Sequence, residues 1–190
     1  MKVFIGCHNL ANMMSIYKKG FQEIGAEVDC YIHSEHPFYQ EEFIQLDKTI
    51  DISVQIINSY LMKNSRQSFY DDPVLLKQLE PVIQKYLDYD IYIFLNCMSL
   101  LPGNLDYPIL KSKDKIIISL FSGSEVRDET SAKDIWKDLG TQLTMRNQRK
   151  LFSGLYYDIF SLYNSSTYGT SLSRKRLNTL MAELYADLIL

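Results

Sequence analysis

The sequence predicts an α/β fold: a Rossmann-like three-layer α/β/α sandwich with a mainly parallel sheet. Three observations carry this. Residues 3–6 form a short run of β-branched and aromatic side chains that Gly6 ends, as a buried strand would. Residues 12–24 then place Met13, Ile16, Tyr17, Phe21 and Ile24 at helical spacing. After Gly25 the run at 28–33 is again strand-like. Strand, helix, glycine and strand within about thirty residues make a βαβ unit, which requires parallel strands.

The remaining elements follow in order. Gly25 reads as the left-handed residue that closes the first helix. Residues 41–62 carry Phe43, Leu46, Ile50, Val54, Ile57 and Leu61 at helical spacing and predict one long helix. Residues 64–72 are polar and read as a loop. Asp72 before Pro73 is an N-cap followed by proline at the first helical position, opening a helix that runs to residue 87. The apolar runs 90–95 and 115–120 predict two more strands. Between them Pro102-Gly103-Asn104 breaks the chain, and 105–111 predicts a short helix. Residues 146–163 form a helix with Phe152, Leu155, Tyr156, Ile159 and Tyr163 on one face; 171–186 form another, with Leu177, Leu180, Met181, Leu184 and Tyr185 apolar. Residues 187–190 read either as the start of a further strand or as the end of that helix.

Composition bounds the function. At 190 residues the chain fits a single domain, 1–190, with enough core to need neither disulfide nor metal. A net charge of −3 gives no electrostatic footprint for nucleic acid. Residues 141–190 hold six Lys and Arg against three acids, compatible with a basic face near phosphate or anionic lipid and equally with solvated helix ends. The helix at 146–163 has two matching readings, core packing or peripheral membrane contact. Cys7, Cys30 and Cys97 are an odd number without a close pair, which fits a reducing compartment. The opening residues are no signal peptide and no stretch reaches the length of a membrane span, so the expected location is cytoplasmic.

Several motifs are absent. Without GxGxxG or GxxxxGK[ST], neither a dinucleotide cofactor nor a phosphate-loop nucleotide is indicated, and without G-x-S-x-G a Ser-His-acid hydrolase is disfavoured. Cys30, His33 and His36 share a spacing of three around Glu35, but neighbouring side chains at a strand end diverge; loop residues near a pocket are the alternative to metal ligands. What remains is a rim. In parallel sheets ligands bind beyond the carboxyl ends of the strands. Asn9 and Asn12 lie in the first such loop, where Asn12 is either a helix N-cap or a hydroxyl-binding group. Asn96, Cys97 and Ser99 follow the strand at 90–95. Ser122, Gly123, Ser124, Glu125 and Arg127 follow the strand at 115–120, as a ligand-binding loop or an ordinary turn. Three loops on one edge predict one site.

These stretches resemble the N-terminal domain of GT-B glycosyltransferases of the family-4-like group. The likeness lies in Asn9-Leu10-Ala11-Asn12 after the first strand; in Gly25-Ala26-Glu27-Val28-Asp29, similar to the family's Gly-His-Glu-Val-Asp; and in residues 89–94 with Ser99-Leu100-Leu101-Pro102. It continues in residues 122–127, similar to the family's His-Gly-Ser-Asp-Val-Arg, and in Tyr185-Ala186-Asp187-Leu188-Ile189. The resemblance implies a metal-independent, hexosyltransferase-like enzyme of polysaccharide biosynthesis, with a nucleotide-sugar as co-substrate and no other cofactor. It implies that this chain is the acceptor-binding half, inactive alone, with the C-terminal donor-binding domain absent and supplied by a longer chain or a partner. Ser122 stands where the family carries His and Glu125 where it carries Asp. On this likeness Glu125 is the catalytic base, Arg127 its partner or a phosphate ligand, and Asn9, Asn12, Asn96, Ser122, Gly123 and Ser124 substrate-binding groups. A non-catalytic α/β binding module is the reading from another class.

Overall fold

The computed structural model describes residues 1–9, 12–33, 43–63, 70–96, 98–121 and 172–190. The strands are β1 (Lys2–Gly6), β2 (Glu27–Ile32), β3 (Ile44–Gln45), β4 (Ile91–Leu95), β5 (Ile116–Leu120) and β6 (Leu188–Ile189). The helices are α1 (Met13–Glu23), α2 (Asp51–Lys63), α3 (Pro73–Ile83), α4 (Tyr107–Lys111) and α5 (Leu172–Tyr185). All strand pairs are parallel and form one six-stranded sheet in the order β3-β2-β1-β4-β5-β6. The α/β sandwich with a parallel sheet is therefore the fold, and residues 188–189 are a strand.

Side-chain alternation divides the core between the two faces of this sheet. Val3, Ile5, Val28, Cys30, Ile32, Ile93, Leu95 and Leu120 pack on one face with Met14 of α1. Phe4, Tyr92, Phe94 and Ile117 pack on the other, against side chains of α2, α3, α4 and α5. The second face is aromatic. Phe4 stacks on Tyr31 at 4.9 Å between centroids and touches Tyr86, Tyr89, Tyr92 and Phe94. The buried phenols are satisfied: Tyr92 donates to the Tyr86 carbonyl at 2.6 Å, and Tyr89 donates to Asp29 while bonded to the Tyr31 hydroxyl, both at 2.8 Å.

The long helix expected over 41–62 is instead three elements. Ile44 pairs with Tyr31, making β3 an edge strand, and Asp47 starts a 3₁₀ turn, Lys48–Ile50, by accepting the Thr49 N–H at 2.8 Å. That cap stops the strand and sets the register of α2 behind it. The helix opened by Asp72 and Pro73 ends at Ile83 and finishes as a 3₁₀ turn, Gln84–Tyr86; the Gln84 N–H bonds the Pro81 carbonyl, three residues back. The short helix expected over 105–111 begins only at Tyr107, after a 3₁₀ turn at Pro102–Asn104.

Two faces differ from their patterns. On α1, Met13, Met14, Tyr17 and Phe21 turn inward, whereas Ile16 and Ile24 are exposed. On α5, Leu177, Met181 and Ala182 are buried and Leu184 is exposed. The first helix does close as expected: with Gly25 at φ 81°, its N–H reaches Gln22 O at 2.9 Å and that of Ala26 reaches Phe21 O at 3.0 Å. This is the paired 5→2 and 6→1 arrangement of a Schellman motif. Among the described residues no helix is long and apolar enough to cross a membrane.

Gly6 ends β1 because nothing larger fits. A Cβ there would lie 2.8 Å from Cε1 of the buried Phe4 ring and 3.0 Å from the Tyr31 carbonyl oxygen. Gly6→Ala is therefore expected to destabilise the fold by about 1–3 kcal/mol, as overpacking of a closed core does. Urea unfolding would show it as a lower midpoint at constant slope. An unchanged midpoint would mean that β1 and β2 separate there without cost.

Candidate functional site

The sheet order places a switch point between β1 and β4, the neighbouring strands from which connections leave in opposite directions along the sheet. Crevices of this kind, outside the carboxyl ends of the strands, are where open α/β sheets bind ligands. Gly6 of β1 pairs with Phe94 of β4. The loops that follow therefore start side by side, one carrying Cys7, His8 and Asn9, the other Asn96, Met98 and Ser99. His33, just past the end of β2, joins them: its N–H reaches Cys7 O at 3.2 Å, and its Nε2 lies 3.5 Å from Ser99 O.

Asn9 and Asn12 have distinct roles. Asn12 stands at the N-cap position of α1 in the left-handed conformation (φ 62°), yet its side chain makes no cap; its Oδ1 accepts the Ser15 hydroxyl at 2.9 Å. The cap comes from Asn9, whose Oδ1 accepts the Met14 N–H at 3.3 Å. Asn9 is 8 % exposed, and its Nδ2 is buried without a hydrogen-bond partner. Asn96 ends β4 with φ 60°, a conformation that asparagine tolerates better than most residues. Asn9 and Asn96 thus lie in the two loops that leave the switch point, and Asn12 at the start of α1. Ser122, Gly123, Ser124, Glu125 and Arg127 lie outside the described residues, as do Cys97, Glu35, His36 and the helix expected over 146–163.

Beneath the rim is a buried polar cluster that the sequence pattern alone does not single out. Ser99, Asn104 and Asp106 are 4 %, 1 % and 0 % exposed. The Asp106 carboxyl accepts the Leu100 N–H at 3.3 Å, the Leu101 N–H at 3.2 Å and the Ser99 hydroxyl. Burial pushes Asp106 up to about 6, against the hydrogen bonds from Ser99 and the backbone, which pull it down. The Cys7 thiol beside it is raised further by burial first and by the charge of Asp106 second. Cys7 is therefore a protonated core group at neutral pH, not a nucleophile. Ser99, expected on the rim, turns its hydroxyl inward. A signal for the cluster was present: Asn104 and Asp106 are polar residues inside the apolar stretch Leu100, Leu101, Leu105 and Ile109, and buried polar groups demand partners.

Cys7 and Cys30 are both buried thiols. Cys30 lies on the α1 face of β2, its Sγ 4.0 Å from Met14 O. Among the described residues no three His, Cys, Asp or Glu side chains gather as a metal site. What the described rim offers is hydrogen bonding, from the carboxamides of Asn9 and Asn96, the imidazoles of His8 and His33, and backbone groups. No protein-family model, curated protein or solved structure matches this chain.

Proposed function

We propose that this chain is the acceptor-binding half of a GT-B glycosyltransferase, transferring a sugar from a nucleotide-sugar to a glycan or lipid-linked acceptor. The observation that carries the reading is the placement of Asn9 and Asn96 in the loops that follow the two strands flanking the switch point. Neutral carboxamides offer both donor and acceptor atoms, as sugar hydroxyls require. The likeness to the family in residues 122–127 adds the reacting groups: Glu125 to take the acceptor's proton, Arg127 to hold that carboxylate ionised or to bind phosphate, with Ser122, Gly123 and Ser124 lining the acceptor. Asn12 extends the same lining. The reading takes no metal. It places the enzyme in the cytoplasm at the inner face of the membrane, with the donor-binding half on a longer chain or a partner.

The test uses the protein isolated by antibody from its source cells, beside this chain alone. Labelled nucleotide-sugars are offered with glycan and lipid-linked acceptors. Transfer by the native material together with glycan binding by the chain supports the reading. Glycan or protein binding with no transfer in either sample indicates a non-catalytic module, and neither transfer nor glycan binding overturns the reading. Asn96→Gly sharpens the test, because glycine keeps the φ 60° backbone and removes only the carboxamide. Acceptor binding is expected to weaken by about five- to tenfold, the worth of one neutral hydrogen bond. Unchanged affinity in a titration calorimeter would remove Asn96 from the site.

A further inference from the structure

We propose that Ser99, Asn104 and Asp106 form a proton-operated clasp, which tightens the loop after β4 against the switch point when Asp106 takes up a proton. The Ser99 hydroxyl has one hydrogen, but three acceptors surround its Oγ: Asp106 Oδ1, Asn104 Oδ1 at 3.0 Å and Leu101 O at 3.3 Å. The Asn104 amide cannot turn to relieve this. Its Nδ2 donates to Asn178 O of α5 at 3.4 Å, and its Oδ1 also accepts the Ser99 N–H at 3.2 Å. With Asp106 ionised, the hydroxyl serves either Asp106 or Asn104, and the other acceptor loses it. A solvent proton taken up on Asp106 Oδ1 is donated to Ser99 Oγ, and the Ser99 hydrogen then goes to Asn104. The proton thus adds a hydrogen bond to Asn104 Oδ1, which already accepts the Ser99 N–H, while Leu100 and Leu101 keep their N–H bonds to the carboxyl.

The charges around the cluster act in the same sense. Among the described residues, the titratable groups that face Asp106 are Cys7 from the end of β1 and Tyr92 from β4, both neutral at neutral pH. From α5 comes the neutral Asn178, through Asn104, and Tyr107 of α4 is turned to Ser119 at 3.2 Å. No lysine or arginine among the described residues pairs with Asp106. Burial of an unpaired carboxylate favours its protonated form, consistent with the elevation to about 6. Opening the loop returns Asp106 to water and to the ordinary carboxylate range. The closed loop therefore binds the proton more tightly than the open one, and by linkage acid favours closure. His33 also faces this loop, its Nε2 3.5 Å from Ser99 O. Because the same loop carries Asn96, the clasp would set the switch point's geometry according to pH. Its consequence for a glycan rests on the function proposed above, whereas the clasp itself does not.

The experiment uses the whole chain, isotopically labelled, with no sugar present, so its outcome is independent of the glycan reading. Between about pH 7.5 and pH 5 the Asp106 carboxyl carbon is followed by NMR, together with hydrogen exchange at the Leu100 and Leu101 amides. The Asp106 signal should inflect near 6, and protection of both amides should rise on the order of tenfold beyond the intrinsic pH effect. Asp106→Asn should abolish the pH dependence of protection. If that variant does not fold, Ser99→Ala decides: losing the hydroxyl bond to the carboxylate should move the Asp106 inflection upward. Protection that is flat or falls on acidification overturns the proposal. So does an inflection in the ordinary carboxylate range, an Asp106→Asn variant with the wild-type profile, or an inflection unmoved in Ser99→Ala.

Discussion

Phe4→Ala is expected to lower stability by about 3–5 kcal/mol, the range for truncating a fully buried aromatic side chain. Phe4 is 0 % exposed and is the hub of five ring contacts, to Tyr31, Tyr86, Tyr89, Tyr92 and Phe94. Its partners cannot collapse into the space. Tyr31 and Tyr89 are tied to each other and to Asp29, and Tyr92 to the Tyr86 carbonyl. The cavity should therefore stay open, which places the loss at the upper end of the range. In a chain of this length the melting temperature should fall on the order of 10 °C. Phe4→Leu, which fills most of the volume, should cost about half as much. A loss below about 1 kcal/mol in Phe4→Ala would show that the ring cluster repacks. The Gly6→Ala substitution should couple to this one. Removing the ring removes the atom 2.8 Å from the added methyl and leaves only the Tyr31 carbonyl, so the two losses together should be smaller than their sum.

Much of this fold is legible because its signals are local. The runs that form β1, β2, β4 and β5 are short, apolar and bounded by glycine or polar residues, and Gly25 marks a helix end by a conformation that few residues adopt. The segment 41–62 hides its strand for a definite reason. Phe43, Leu46, Ile50 and Ile57 are spaced as on a helix, yet a two-residue edge strand has no periodicity of its own and β3 exists only because Tyr31 and Ile32 pair with it. Asp47, whose side chain separates strand from helix, is the one local clue. The inward turn of Met14 in place of Ile16 likewise depends on how α1 lies across the sheet, a tertiary fact that spacing alone leaves open.

The site is legible as a place more than as a mechanism. Parallel topology sends the loops after β1 and β4 to one edge, so element order alone places Asn9 and Asn96 on one rim; that β1 and β4 are neighbours comes from the sheet order. It does not give the division of labour within the first loop. An asparagine before a helix is the usual cap, but left-handed backbone at Asn12 turns its carboxamide to Ser15 and leaves the Met14 N–H to Asn9. The cluster under the rim is hidden for a similar reason: a serine, an asparagine and an aspartate within eight residues read as loop chemistry. Only the burial of Leu100, Leu101 and Leu105 around them makes them interior groups.

Asp72→Ala should cost about 2–4 kcal/mol, with two losses visible among the described residues. The first is a cap: Asp72 Oδ1 accepts the Val74 N–H at 2.8 Å at the start of α3, an interaction worth about 1 kcal/mol at helix N-termini. The second is a bridge. Tyr60 of α2 is 5 % exposed and donates its hydroxyl to Asp72 Oδ2. Alanine would take the Asp72 acceptor away from that buried phenol, at about 1–3 kcal/mol. Asp72→Asn separates the two contributions. It keeps Oδ1 for the cap and presents an amide that can donate to the phenol oxygen, so it should cost only about 1 kcal/mol. Tyr60→Phe removes the hydroxyl and keeps the cap, so when Asp72→Ala is added to Tyr60→Phe only the capping share should be lost. Urea unfolding of Asp72→Ala, Asp72→Asn, Tyr60→Phe and the Tyr60→Phe/Asp72→Ala double variant would show this coupling directly. If Asp72→Ala costs the same with and without the Tyr60 hydroxyl, then α2 and α3 are held by their apolar faces alone, and Asp72 serves α3 only as a cap.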